Sequence, residues 1–481
     1  SSGPTNWTKN IEATYIAGPV REDGGIDYLA ALNIEAADGV DLEENAALWY
    51  LDVWDHSRET AIVIEGYEIQ LGWDRDRFPT KYFRPVSDDS VGKEVLDLRQ
   101  SLHDGMVVGT DYTNLRNWLS DRDQIIQHLL AGTRQSNCYI PIVPVAPDGS
   151  LIDASLRAIQ AMREYADVIC IRGHLHILDA DLAAARQDSL AIRRMAKHAA
   201  DHPILLALLV AYAVNGLATE LDQRIFADPT LTAADARQHL DDIAKLPDFP
   251  TISSRLTHGE RMAVLDAATQ IAFGRKCAYL DVDGGEVLTI VRKAVDWERV
   301  MVGLNEQFDQ LAADLEIDDL GKRDLVLAYA RQARALRGKL TKRLPKAIFL
   351  RRSRSDLMRD VLAEMFLPLA VGVVEAEKNF LSRQQLTQLC GVLAIYRAEN
   401  GVYPIKLAEL VPKYLSEFPL DPASGQSFVY RQTEQSYELY GVGRNGKDDG
   451  GDSIETGDDV VAETPGWRIK MVKPEPVMAM G

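Results

Sequence analysis

Nine histidines and 72 acidic side chains supply most of the groups that could do chemistry in this 481-residue chain. The closest histidine pair is His174-x-His176, with Asp179 and Asp181 just behind it. On a strand the two imidazoles would share a face and could chelate a metal. On a helix, positions two apart diverge by about 200° and cannot chelate together. The flanking residues favour a helix, so the expectation is a helix end with exposed histidines. His198 and His202 have i, i+4 spacing, but Asp201 and Pro203 place a helix break between them. His258-Gly259-Glu260-Arg261 is not HExxH, and no GxSxG, Walker loop or GxGxxG occurs. Cys138, Cys170, Cys277 and Cys390 are widely spaced, without a CxxC, among apolar neighbours, which predicts buried thiols. One dense set of oxygen ligands remains. Residues 441–459 (GVGRNGKDDGGDSIETGDD) carry six acidic side chains against Arg444 and Lys447. Carboxylates this close repel unless a cation joins them, and calcium tolerates irregular loops better than magnesium does. No glutamate stands at the twelfth position of an EF-hand loop. Asp281-Val282-Asp283-Gly284-Gly285-Glu286 fails the same test and reads as a hairpin turn.

The elements that must position this loop are legible around it. A helix over about 376–400 carries the stripe Leu386, Leu389, Cys390, Leu393, at the i, i+3, i+4, i+7 spacing of one apolar face, and Tyr396 extends it. Pro404 is expected to start a short helix through Leu410. Residues 426–431 and 435–440 alternate polar with aromatic residues and are expected to pair as a small antiparallel sheet. This order resembles the soluble head of the major pseudopilin of type II secretion systems. The marks are Tyr396, Asn400-Gly401, Tyr403-Pro404, Pro419-Leu420-Asp421-Pro422, Tyr430, Tyr437, Gly443-Arg444-Asn445-Gly446 and Gly457-Asp458-Asp459-Val460. The resemblance implies a calcium ion held by the side chains of Asn445, Asp458 and Asp459 and by the carbonyls of Val442 and Lys447. Asn445 stands where the family has aspartate, which removes one charge. The insert Asp448-Asp449-Gly450-Gly451-Asp452 lengthens the loop and offers alternative ligands. In pseudopilins the corresponding helix begins as a membrane anchor. Here it carries Glu375, Glu377, Lys378 and Arg383, so it is expected to dock on a helical body, which counts against filament assembly.

The rest of the chain bounds the setting. With 53 basic against 72 acidic residues the net charge is −19, which argues against a nucleic-acid surface or adsorption to anionic lipid. The chain opens Ser1-Ser2-Gly3 without methionine, as a scar would, and a signal peptide or membrane anchor ahead of it fits that start. The longest apolar run, residues 204–214, is too short to span a bilayer and reads as a core helix. Residues 26–55 read as a helical hairpin, with Asp41 and Glu44 forming a capping box that starts the second helix. Residues 61–64 suit strand or helix, residues 114–130 show a helical period, and residues 138–145 suit an extended segment with two prolines. Helices are expected at 155–171, 181–198, from 203, 230–246, 253–273, 296–315 and 318–343, with a short hairpin within 277–290. The basic stretch 346–360, with Arg351, Arg352, Arg354 and Arg359, reads as a solvated helix face or a phosphate site, the former favoured. The fold class is therefore mainly α: stacked antiparallel helices in a solenoid-like array, followed by a small α+β domain. The expected divisions are 1–150 (helical with irregular segments), 151–365 (helical body), 366–463 (pseudopilin-like) and 464–481 (tail). Residues 27–54 and the helices of 151–218 resemble an uncharacterised family of secreted or anchored proteins from planctomycete bacteria. The reading is a non-enzymatic, periplasmic or otherwise extracytoplasmic protein for envelope scaffolding or protein interaction, with calcium as its cofactor. The alternatives are a hydrolase with its site in a groove of the helical body, and a pseudopilin-related secretion component.

Overall fold

The computed structural model describes residues 6–78, 83, 91–103, 112–147, 149–275, 294–315, 350–433, 436–443, 445–451 and 459–462. The protein is mainly helical: the described residues give 65% helix in fifteen α-helices, with a small three-stranded antiparallel sheet near the C-terminus.

The N-terminal part is built from short helices tied by buried polar side chains. After α1 (Ile11–Thr14), α2 (Tyr28–Ala37) starts where the Asp27 carboxylate accepts the Ala30 N–H at 3.0 Å. The Asp41–Glu44 capping box expected at the next helix starts only a 3₁₀ turn, Leu42–Glu44, whose Glu43 N–H is taken by Asp41. The helix itself, α3 (Ala47–Asp52), starts later because Asn45, fully buried, accepts the Ala47 N–H. The same amide accepts the Tyr139 N–H and donates to the Tyr139 carbonyl, both at 2.8 Å. Asn33 does likewise for Ile142. These two asparagines supply hydrogen bonds that this buried extended segment needs, beside the backbone bonds of Val143 and Val145 to Ser155 and Asp153. Residues 61–64 are helical, the start of α4 (Ala61–Leu71), capped by Thr60. After α5 (Gly92–His103) the helical period of 114–130 is carried by two helices, α6 (Thr113–Ser120) and α7 (Asp123–Gly132). The break falls at Asp121 and Arg122, which offer no apolar side chain to the core, and Asp121 N–H tightens onto the Asn117 and Leu119 carbonyls.

The body is α8 (Arg157–Leu178), α9 (Leu182–Asp201) and α10 (Leu205–Ala227), which pack on one another. On α10, Leu208, Ala211, Val214, Ala218, Leu221 and Ile225 are wholly buried, one face at helical spacing. By length and apolarity α10 could cross a membrane, with mean hydropathy 1.4 in its best window, but it is packed between α8, α9 and the long C-terminal helix. Its first turn begins at Leu205, two residues after Pro203 rather than at the proline. Thr232 caps α11 (Ala233–Ala244). A short α12 (Ile252–Ser254) passes through a π-helical segment, Arg255–Glu260, into α13 (Arg261–Phe273). The π geometry brings Gly259 against the 203 carbonyl, where an added Cβ would lie 2.3 Å from the Pro203 oxygen. Since neither partner is a flexible side-chain end, Gly259→Ala is expected to cost about 1–3 kcal/mol, read as a lowered urea midpoint at unchanged m-value.

Next come α14 (Trp297–Leu315) and α15 (Arg351–Asn400), a single helix of 50 residues where one starting near 376 was expected. In the basic stretch, Arg359 bonds Asp360, Arg354 reaches the Ala294 carbonyl and Asp356 pairs with Arg299. The hairpin of 277–290, the helix of 318–343 and Cys277 fall outside the described residues. Cys138, Cys170 and Cys390 are free thiols, Cys138 only half-buried. At the C-terminal end, Leu386, Leu389, Cys390 and Leu393 of α15 are buried, and a sheet of β1 (Val429–Gln432), β2 (Tyr437–Gly441) and β3 (Val460–Val461) covers them. Tyr430 pairs with Leu439 and Tyr440 with Val461 in its antiparallel registers. The expected helix from Pro404 to Leu410 is only a 3₁₀ turn, Leu407–Leu410, held by Glu409 on the Lys406 N–H.

Candidate metal centre in the C-terminal loop

Beneath the point where β2 gives way to the loop leading to β3 lies Asp421, the aspartate of the Pro-Leu-Asp-Pro stretch. Its carboxylate, fully buried, accepts Ser382 Oγ of α15, the Ala423 N–H at 3.1 Å and Ser424 Oγ at 2.6 Å. Gly441, the last residue of β2, lies directly over it: an added Cβ would stand 2.8 Å from the Asp421 carboxyl carbon. A glycine is therefore needed where the strand leaves for the loop. Ser382 has no signal in the sequence beyond its place on the helix.

Within the loop, Asn445 makes a tight turn, its Oδ1 accepting the Lys447 N–H at 2.6 Å and its Nδ2 donating to Asp449 Oδ2 at 2.8 Å. The insert folds back over Asp459. Asp459 Oδ2 accepts the N–H groups of Asp449 at 3.2 Å and Gly451 at 2.8 Å. Asp459 is 2% exposed, and its Oδ1 is buried with no hydrogen-bond partner. Burial raises its carboxyl above the ordinary range, and the neighbouring Asp449 and Asp448 charges push it further, against the lowering pull of the Gly451 and Asp449 N–H groups. Asp448 is satisfied by Tyr440 Oη at 2.8 Å, the Gly450 N–H at 2.9 Å and Arg431 at 3.3 Å. Of the five residues expected as ligands, Val442, Asn445, Lys447 and Asp459 lie on this loop or at its ends, and Asp458 falls outside the described residues. Asp449, from the insert, joins Asn445 and Asp459 directly. Among the described residues no group of three or more His, Cys, Asp or Glu is close enough to hold a metal. What the loop offers is hard oxygen donors, among them one buried carboxylate oxygen, Asp459 Oδ1, with no hydrogen-bond partner.

The histidines take other roles. His174 and His176 lie on α8, where their divergence keeps them apart, but His174 is buried rather than exposed: α8 runs on to Leu178. Burial pushes His174 down to about 4, with its Nε2 3.6 Å from Glu220. His198 bonds Tyr50 Oη at 2.7 Å and the Gln135 carbonyl at 3.0 Å, and burial lowers it to about 4. His202, buried and lowered to about 3, accepts the Ile204 N–H at 3.4 Å.

A cleft of about 1430 Å³ runs between α10, α11 and α15. One wall is aromatic, with Tyr212 and Phe380 stacked at 4.5 Å and Phe249 against Phe380 at 4.9 Å. Of the cations that line it, Arg193 is neutralised by Asp222, and Arg237 and Lys413 pair with Glu399. Comparison of the chain with protein-family models, with curated proteins and with solved structures found no match.

Proposed function

We propose that this is an extracytoplasmic protein of the cell envelope, a scaffold or interaction protein whose pseudopilin-like C-terminal unit is stabilised by calcium. The observation that carries the calcium is Asp459. A carboxylate buried with one oxygen unpartnered, beside two more aspartates, is costly unless a cation shares it. The way the unit is joined to the body supports a display role over filament assembly. Arg397 of α15 reaches the Ala227 and Asp228 carbonyls at 3.1 and 2.5 Å, and Thr387 accepts from Gln223 at 3.1 Å. The helix that would anchor a pseudopilin is here packed on α10 and α11.

The test is the melting temperature after chelation, then with calcium or magnesium restored. A ligand that binds only the folded state stabilises it by RT ln(1 + [L]/Kd), about 2.7 kcal/mol at 100 times Kd. A calcium-specific rise that disappears in Asp459→Asn is expected. Failure of calcium to raise the transition, with none bound by elemental analysis, would remove the metal from this reading.

A further inference from the structure

Two departures from ordinary backbone geometry meet at one hydrogen bond. Tyr15 ends α1 at φ 65° and ψ −37°. A bulky side chain rarely adopts that region and persists there only where its surroundings impose it. His258 lies in the π-helical segment, a geometry that recurs at functional sites. Although 243 positions apart in sequence, Tyr15 Oη and His258 Nδ1 are 3.3 Å apart. The other ring nitrogen, His258 Nε2, is 2.5 Å from Glu35 Oε2.

The protonation pattern follows from these partners. An ionised carboxylate only accepts, so Glu35 fixes the imidazole proton on Nε2. Nδ1 is then left as an acceptor facing the phenol. Hydroxyl, imidazole and carboxylate thus stand in the order nucleophile, base, orienting group. The site is reachable: the His258 side chain is 39% exposed, Glu35 is exposed and Tyr15 is half-buried. On the ring face of Tyr15 the Arg261 guanidinium carbon lies 4.4 Å from the centroid, itself buried and held by Asp309 at 2.6 Å. That fixed cation favours the negative charge the phenol oxygen develops as it attacks.

We infer that Tyr15 is a nucleophile toward the acyl group of neutral esters, with His258 as its general base and Glu35 as a positioning residue. The class of substrate follows from charge. Glu35 and Asp309 outweigh Arg261, so an anionic substrate is repelled where a neutral carbonyl is not. In the step, Tyr15 Oη forms a bond to the carbonyl carbon while its proton passes to His258 Nδ1. The ester C–O bond then breaks, the alcohol or phenol leaves and takes up that proton, and water later releases the acid from Tyr15. This activity goes beyond the scaffolding role and is independent of calcium.

The test uses the whole protein with p-nitrophenyl acetate. The expected result is a rapid release of about one equivalent of nitrophenolate, with the acetyl group mapped by peptide mass spectrometry to Tyr15 in the wild-type protein. Tyr15→Phe abolishes the rapid phase. His258→Ala slows Tyr15 acetylation by about 100-fold, and imidazole added to the buffer restores it, which a merely structural loss would not allow. Glu35→Gln slows the same reaction at unchanged melting temperature. Acetyl groups spread over lysines and other tyrosines without preference for Tyr15 would overturn the inference. So would a Tyr15 acetylation rate untouched by His258→Ala.

Discussion

Asp222→Ala is expected to destabilise the protein by about 3–5 kcal/mol, seen as a lowered urea midpoint. Asp222 on α10 is wholly buried and binds three side chains from two other helices. Arg193 of α9 donates to its Oδ2 through Nε at 2.8 Å and Nη2 at 2.5 Å. His239 of α11 meets its Oδ1 at 2.7 Å, and Ser189 of α9 donates to the same oxygen. Through Nη1, Arg193 extends the network to Asn215 at 3.3 Å and to Gln384 of α15 at 3.1 Å. Burial alone would raise the Asp222 carboxyl, but the charges of Arg193 and His239 and the hydrogen bonds from His239 and Ser189 hold it below the usual carboxylate range. Removing it leaves the Arg193 cation, 4% exposed, without an anion where water cannot replace one. Arg193→Ala carries the mirror-image penalty. The double variant Asp222→Leu/Arg193→Met is expected to lose less than either single one, because apolar pairs replace buried ion pairs at little cost. Additive losses would mean that the two residues stabilise the fold separately.

Neither Asp222 nor His239 stood out in the sequence, because each sits in an ordinary amphipathic helix and its partner lies on another. What was legible was the periodicity of the long helices and the antiparallel pairing near the C-terminus. The misjudged boundaries have long-range causes. The helix expected to stop near Ile171 runs on as α8 to Leu178 because Gly173 is a packing glycine. An added Cβ there would lie 2.5 Å from Leu221 of α10. Locally the same glycine reads as a breaker. α15 continues through Pro368, a residue that ordinarily ends a helix. The π segment depends on Gly259 meeting residue 203, which no window of sequence contains. The loop drew notice in the sequence because its six carboxylates lie within a short stretch. Asp449 could be placed beside Asp459 only once the insert's fold was known. Tyr15, His258 and Glu35 come from three distant segments, and no spacing links them.

Glu260→Gln should stabilise the protein at pH 8 and leave it unchanged at pH 4. Glu260 is 6% exposed at the end of the π segment, and its one hydrogen bond there accepts the Leu205 N–H at 3.2 Å. Burial raises its carboxyl from 4.5 to about 7, the single hydrogen bond opposing weakly. Between those values the folded state holds a proton that the unfolded chain has released, so stability falls as pH rises, by about 1.4 kcal/mol per unit. Above pH 7 the loss is complete, on the order of 3 kcal/mol. Glutamine keeps an acceptor for Leu205 and cannot ionise. Asp266, raised by burial to about 6, acts in the same direction over a lower range. The three buried histidines act in the opposite sense. His174, His198 and His202 are lowered from 6.5 to about 4, 4 and 3, so the stability of their neutral forms is present above pH 6.5 and lost on acidification. With the three histidines dominating the acid side and Glu260 the alkaline side, the wild-type protein is expected to be most stable near pH 6.5, losing stability gently above it and more steeply below. In Glu260→Gln the decline above pH 6.5 disappears and the acid limb steepens, because a carboxyl opposing the histidines is gone. Urea midpoints at pH 4, 6.5 and 8 for both proteins decide it. A Glu260→Gln protein no more stable than wild type at pH 8 would mean that Glu260 is solvated in the folded state and ionises there without penalty.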